Sequence, residues 1–179
     1  MVLALAAVWT TVMAMSLAWS LHQVERTAHA AARAETRGAF NKDLVYRRWA
    51  ASHGGVYVPV TEKTPPSPYL VHVPERDLTT PSGRTLTLLN PAYMTRQVHE
   101  LGTEQYGMSG HITSLNPIRP ENAPDPWERA ALRSFADGAV EVSSVEVLEG
   151  RPQMRLMRPM VVESGCLKCH AEQGYKVGD

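Results

Sequence analysis

Cys166-Leu167-Lys168-Cys169-His170, close to the C-terminal end, is the stretch from which the rest of this chain is read outward. C-x-x-C-H is the attachment signature of a c-type haem. Two thiols three positions apart reach the two vinyl groups of one porphyrin and form thioethers. The adjacent imidazole of His170 is then held under the iron as its proximal ligand. No other cysteine is present to compete. Rival readings have less behind them. A zinc site wants four ligands and usually a second paired motif. A dithiol redox pair has no use for His170. A disulfide closing this short loop needs only an oxidising compartment.

Composition bounds the class. A chain of 179 residues is about one domain with attachments. Hydrophobic residues make up 44%, enough for a core, and thirteen prolines point to many turns. Lys plus Arg equals Asp plus Glu at 18 each, so the balance of charge gives no case for nucleic acid. Phosphate-binding and dinucleotide loops, a nucleophile elbow and H-E-x-x-H are all missing. No Ser/His/Asp or paired-carboxylate spacing argues for hydrolysis; no enzymatic function is expected, and a peroxidase stands third behind the sensor and electron-carrier readings given below.

From Met1 to Val24 the sequence holds no Asp, Glu, Lys or Arg. Val2 to Leu21 is close to the roughly 20 apolar residues that cross a bilayer as a helix. Trp19 suits the far interface. A signal peptide is the rival; it wants a basic start, which is absent, although Ala28-His29-Ala30 loosely imitates a cleavage site. A retained anchor is the expectation. Haem c is attached on the outer side of the bacterial inner membrane, which sets the bulk of the chain in the periplasm. Gln23 to Ser52 is rich in Ala, Arg and Glu and free of proline, and reads as a helix continuous with the span. Phe40, Leu44 and Ala51 share one face with Val45 and Trp49 beside it, and Asp43 and Arg47 form an i,i+4 pair. The segmentation is therefore 1–22 transmembrane anchor, 23–52 connecting helix and 53–179 haem domain.

Gly54-Gly55 breaks that helix, and Val56 to Val60 is a strand candidate. Thr61 to Ser82 is a proline-dense loop that wraps the surface. Thr85 to Leu89 is extended. Asn90-Pro91 opens a helix that should stop at Gly102, with Met94, Val98 and Leu101 on its inner face. Ser109 to Leu115 reads as a strand. Asp125 caps the next helix, with Glu128 completing a capping box and Gly138 at its end. Ala139 to Leu148, a tight turn at Glu149-Gly150, and Arg151 to Val162 read as a hairpin. The order is α+β.

Four blocks carry a resemblance. They are Ser52-His53-Gly54-Gly55-Val56-Tyr57-Val58-Pro59, Asn90-Pro91-Ala92-Tyr93-Met94-Thr95-Arg96-Gln97, Ile112 to Asn122, and Cys166-Leu167-Lys168-Cys169-His170-Ala171. Together they resemble the Tll-like c-type haem domain, an extracytoplasmic input module of bacterial sensor histidine kinases and diguanylate cyclases. The resemblance implies a PAS-like antiparallel sheet flanked by helices, with one covalent haem c. It implies a C-terminally truncated domain too, since similar proteins continue past Asp179 into a further strand, a second membrane helix and a cytoplasmic effector. Kinase or cyclase output therefore comes by analogy alone.

The expected function is a membrane-anchored periplasmic sensor of redox state or a diatomic gas. The alternative is a membrane-anchored monohaem electron carrier serving a redox partner. An in-frame effector downstream favours the first, a respiratory operon the second. A second copy of the chain is a further candidate partner. Cys166 and Cys169 are the expected thioethers and His170 the proximal ligand. The resemblance implies a distal sulfur from a cysteine on the helix after Asn90; no cysteine stands there, and Met94 is the candidate in its place, with His99 as runner-up and His53 behind it. Arg96 and Arg119 are candidates for the haem propionates, since guanidinium suits carboxylate. Met154, Met157 and Met160 are read as packing residues.

Overall fold

The computed structural model describes residues 1–148 and 150–179. It is α+β, with one long N-terminal helix and two small antiparallel sheets. Two compact units are distinguished, residues 1–39 with 143–156, and residues 40–142 with 157–179.

Helix α1 runs unbroken from Val2 to Ser52. No proline interrupts it, and its first half is long and apolar enough to cross a bilayer or to serve as a signal sequence, with that apolar window exposed. In the first unit it accompanies the hairpin of β4 (Val142–Leu148) and β5 (Arg151–Met157). His29, Ala30 and Arg33 of α1 face Ser143, Ser144, Val145 and Met154 around a cavity of about 300 Å³. Arg155 Nη1 lies 3.5 Å from Glu146 Oε2 across the two strands. The strands are shorter than read: β4 begins at Val142 rather than Ala139, and β5 ends at Met157 rather than Val162. Pro159 lies beyond β5 and has no N–H to extend the ladder. Glu149 of the expected turn is outside the described residues.

The second unit is built on a three-stranded sheet in the order β1 (Val56–Pro59), β3 (Thr85–Leu89), β2 (Asp77–Thr79). Both pairings are antiparallel, with Val56 opposite Leu89 and Asp77 opposite Thr87. Central β3 buries Thr87, Leu88 and Leu89, and the core adds Ala50, Leu70, Tyr93 and Ala131. The three-residue β2 escaped the sequence reading because it lies within the proline-dense loop. That loop does wrap the domain: Tyr93 Oη donates to the Pro65 carbonyl at 2.9 Å, and Gln97 Nε2 to Thr64 Oγ1 at 2.9 Å.

Helix α2 (Pro91–Tyr106) starts where expected, with Asn90 Oδ1 accepting from Tyr93 N at 2.9 Å. It passes through Gly102 and stops at Gly107, whose left-handed backbone (φ 68°) returns its N–H to Thr103 O at 3.0 Å. Its buried side chains are Tyr93 and Thr95, while Val98 and Leu101 are about half exposed, so the Met94-Val98-Leu101 face is not the core face. Ser109 to Leu115 forms no strand. Its side chains bind elsewhere: His111 Nδ1 lies 2.9 Å from Glu128 Oε1, Thr113 Oγ1 donates to the Asn122 carbonyl at 2.8 Å, and Ser114 Oγ lies 3.0 Å from Tyr175 Oη. Helix α3 (Pro126–Ala136) has the full capping box between Asp125 and Glu128. Along the last turns of α1, Phe40, Leu44 and Ala51 are half-buried, but Val45 and Trp49 beside them are exposed.

Candidate haem site

The C-x-x-C-H segment is held as a closed loop. Val162 N donates to the Asp179 carbonyl and Gly178 N to the Val162 carbonyl, each at 2.9 Å, so the two ends of the segment are pinned together. Between them, short 3-10 turns at Ser164–Cys166 and Ala171–Gln173 flank α4 (Leu167–His170). Helical spacing turns Cys166, Cys169 and His170 toward one side.

Each of the three has a defined neighbourhood. Cys166 Sγ accepts from Glu163 N at 3.4 Å. The segment around Gly165 lies against Ala51 near the end of α1, and Glu163 Oε1 lies 2.8 Å from Arg48 Nε. The side chain of Asn90, which caps α2, also favours the charged form of the second thiol, Cys169. Burial pushes the Cys169 thiol up, against the pull of Asn90 and Lys168. Both thiols are free and half-buried.

His170 is oriented by an amide. Gln173 Nε2 donates to the Asn116 carbonyl at 2.7 Å, an acceptor that can take only the NH₂ end. Gln173 Oε1 therefore faces His170 Nδ1 at 2.6 Å, and Nδ1–H is the donor. The lone pair is left on Nε2, the arrangement found when a hydrogen-bond acceptor behind a ligating histidine fixes its tautomer. Tyr175 meets the ring edge-on, with centroids 5.9 Å apart, and its hydroxyl is tied to Ser114. Two half-buried thiols beside an imidazole with a free Nε2 fit covalent haem attachment with axial ligation. Among the described residues, no cluster of three or more His, Cys, Asp or Glu gathers as a metal site.

The other expected residues each have neighbours of their own. Met94, one turn along α2 from Asn90, lines a cavity of about 440 Å³ with Asp43, Val45, Tyr46, Trp49, Thr95 and Val98. His99 Nε2 lies 2.7 Å from Asp43 Oδ2, so the close partner of Asp43 is His99, while its charge still acts on Arg47 four residues on. His53 stacks on Trp49 at 4.6 Å, and its Nδ1 lies 2.8 Å from the Trp49 carbonyl, leaving Nε2 free. Arg96 lies over the Tyr93 ring at 4.3 Å and 3.5 Å from Glu100 Oε1. Arg119 lies 3.2 Å from Glu121 Oε2. Both guanidiniums that were candidates for propionates are thus engaged with carboxylates of this chain.

Sequence reasoning missed Arg47, Asn116, Gln173 and the second role of Asn90. Gln173 follows His170 at i+3, a spacing that could have flagged it. Arg47 carries no such signal, because only the fold brings the end of α1 to the cysteine segment. Its Nη1 donates to the Pro91 carbonyl and to Thr95 Oγ1, each at 3.4 Å. Burial pushes its pKa down, while Cys166 and Asp43 act to hold it up.

No curated protein and no solved structure matches the chain. The model of the Tll0287-like family matches residues 20–178. The chain therefore belongs to the Tll0287-like family, a family of haem-binding sensor domains.

Proposed function

We propose that this chain is the PAS-like, periplasmic input domain of a bacterial signal-transduction protein, anchored in the inner membrane by α1 and carrying one covalent haem c. Cys166 and Cys169 form the thioethers, His170 Nε2 is the proximal ligand, and the Met94 thioether is the distal one. The bound haem supplies a redox-active iron whose state, or whose diatomic ligand, is the signal. The chain's own residues do the positioning. Gln173 and Asn116 fix the imidazole, Asn90 seats the second cysteine, and the clamp at Val162 and Gly178 closes the segment. A cytoplasmic kinase or cyclase is the proposed recipient.

The observation that carries this reading is the Gln173-oriented His170 beside two free thiols. Protein matured in a host with c-type haem assembly is expected to keep its haem through denaturing electrophoresis. The double substitution Cys166→Ala, Cys169→Ala is expected to lose it completely. Covalent haem staining that survives in the double variant overturns the assignment.

A further inference from the structure

Arg47 lies on the last turns of α1, which meet the cysteine segment at Arg48–Glu163 and Ala51–Gly165, and among the described residues its guanidinium has no carboxylate within ion-pair distance. Among the described residues its guanidinium reaches only neutral acceptors, the Pro91 carbonyl and the Thr95 hydroxyl. The nearby carboxylate, Asp43, gives its Oδ2 to His99 at 2.7 Å. The charge is half-buried, where burial already works against it, so it is poorly screened. When Cys166 becomes a thioether it loses the proton through which it could offer a compensating negative charge. The second cysteine meets a field of the same sign: Asn90 seats Cys169 at the N-terminal, partially positive end of the sixteen-residue α2.

We infer that Arg47 is a positioning residue of the haem site that raises the reduction potential of the iron. This rests on the covalent haem reading above. Ferric iron carries one more positive charge than ferrous, so a fixed, desolvated cation nearby disfavours the ferric form. Asp43 opposes that effect only in part, because His99 shares it. The same guanidinium ties α1 to α2 through Pro91 and Thr95, so the charge is held at one place relative to Cys166.

The test is a redox titration of detergent-solubilised holoprotein at one fixed pH, read on the visible haem bands. Four proteins are compared: wild type, Arg47→Gln, Arg47→Lys and Asp43→Asn. The expected result is a fall in midpoint potential for Arg47→Gln, a value near wild type for Arg47→Lys, and a rise for Asp43→Asn. An unchanged potential in Arg47→Gln with its haem intact overturns the inference. So do equal falls in Arg47→Gln and Arg47→Lys, which assign the effect to the hydrogen-bonding fork and not to charge. Should Arg47→Gln not fold, Arg47→Met takes its place: a lowered potential supports the inference and an unchanged one overturns it. Wild-type protein without covalent haem overturns the haem reading itself, and this inference with it.

Discussion

Gln173 is held from both ends, and its fixed orientation decides which nitrogen of His170 keeps its lone pair. The Asn116 carbonyl takes the amide NH₂, so the amide oxygen takes the imidazole N–H, and Nε2 is left with its lone pair. The proposed distal ligands differ in what their atoms already touch. His99 Nε2 is occupied by Asp43, and its ring is packed so closely that a Cβ on Gly110 would come within 2.4 Å of it. Met94 faces an apolar cavity with its thioether free of such ties. The expected ferric spectrum of the holoprotein therefore has a thioether-to-iron charge-transfer band, lost in Met94→Ala and kept in His99→Ala. A spectrum of two nitrogen ligands, unmoved by Met94→Ala but disturbed by His53→Ala or His99→Ala, overturns Met94. A thioether in place of a thiolate removes a negative charge and should raise the potential, in the same sense as Arg47. At this scale Cys166, Cys169 and His170 were legible in the sequence as candidates, because the motif is a local spacing. Arg47, Asn90 and Asn116 were illegible as site residues because their roles arise only from tertiary proximity.

Among the elements, the starts were more legible than the ends. Asn90 and Asp125 cap from within their own first turn, so local sequence decides them. The end of α2 is not decided that way. Gly102 was a plausible stop, yet the helix continues to Gly107, whose left-handed backbone provides the cap. Ser109 to Leu115 has strand-like residues but no strand: β1 and β2 already flank β3, and its side chains tie to Asn122, Glu128 and Tyr175. The capping box offers a clean test. Asp125 Oδ1 accepts from Glu128 N at 2.7 Å, and buried Glu128 answers Asp125 N at 2.9 Å while also meeting His111. Asp125→Ala is expected to lower stability by about 1 kcal/mol. For a chain of this size that is a fall in melting temperature of roughly 2–4 °C. A melt that does not move shows that the cap contributes nothing to stability; the haem bands should be unaffected either way.

Across the whole molecule, α1 is the element whose role reaches beyond the haem site. At about 1.5 Å per residue, the unbroken run from Val2 to Ser52 is roughly 75 Å long, more than twice a hydrocarbon core of about 30 Å. Residues 1–24 carry no Asp, Glu, Lys or Arg, and the last turns of α1 hold Arg48 and Ala51 against the segment that carries the two cysteines. An uncharged run exposed to water along its length is strongly unfavourable, since burying apolar surface is worth about 25 cal/mol per Å². A bilayer removes that cost, and helical hydrogen bonding satisfies the backbone inside it. The untagged protein is therefore expected in the membrane fraction, resistant to alkaline and high-salt extraction and released by detergent. Deleting Met1 to Leu21 should move it to the soluble fraction while leaving the haem segment closed by Val162 and Gly178. The decisive measurement is the mass of the mature N-terminus. A soluble species beginning after Ala30 shows that the apolar run is a signal peptide and that α1 has no anchoring role. An intact N-terminus in the membrane fraction identifies a retained span.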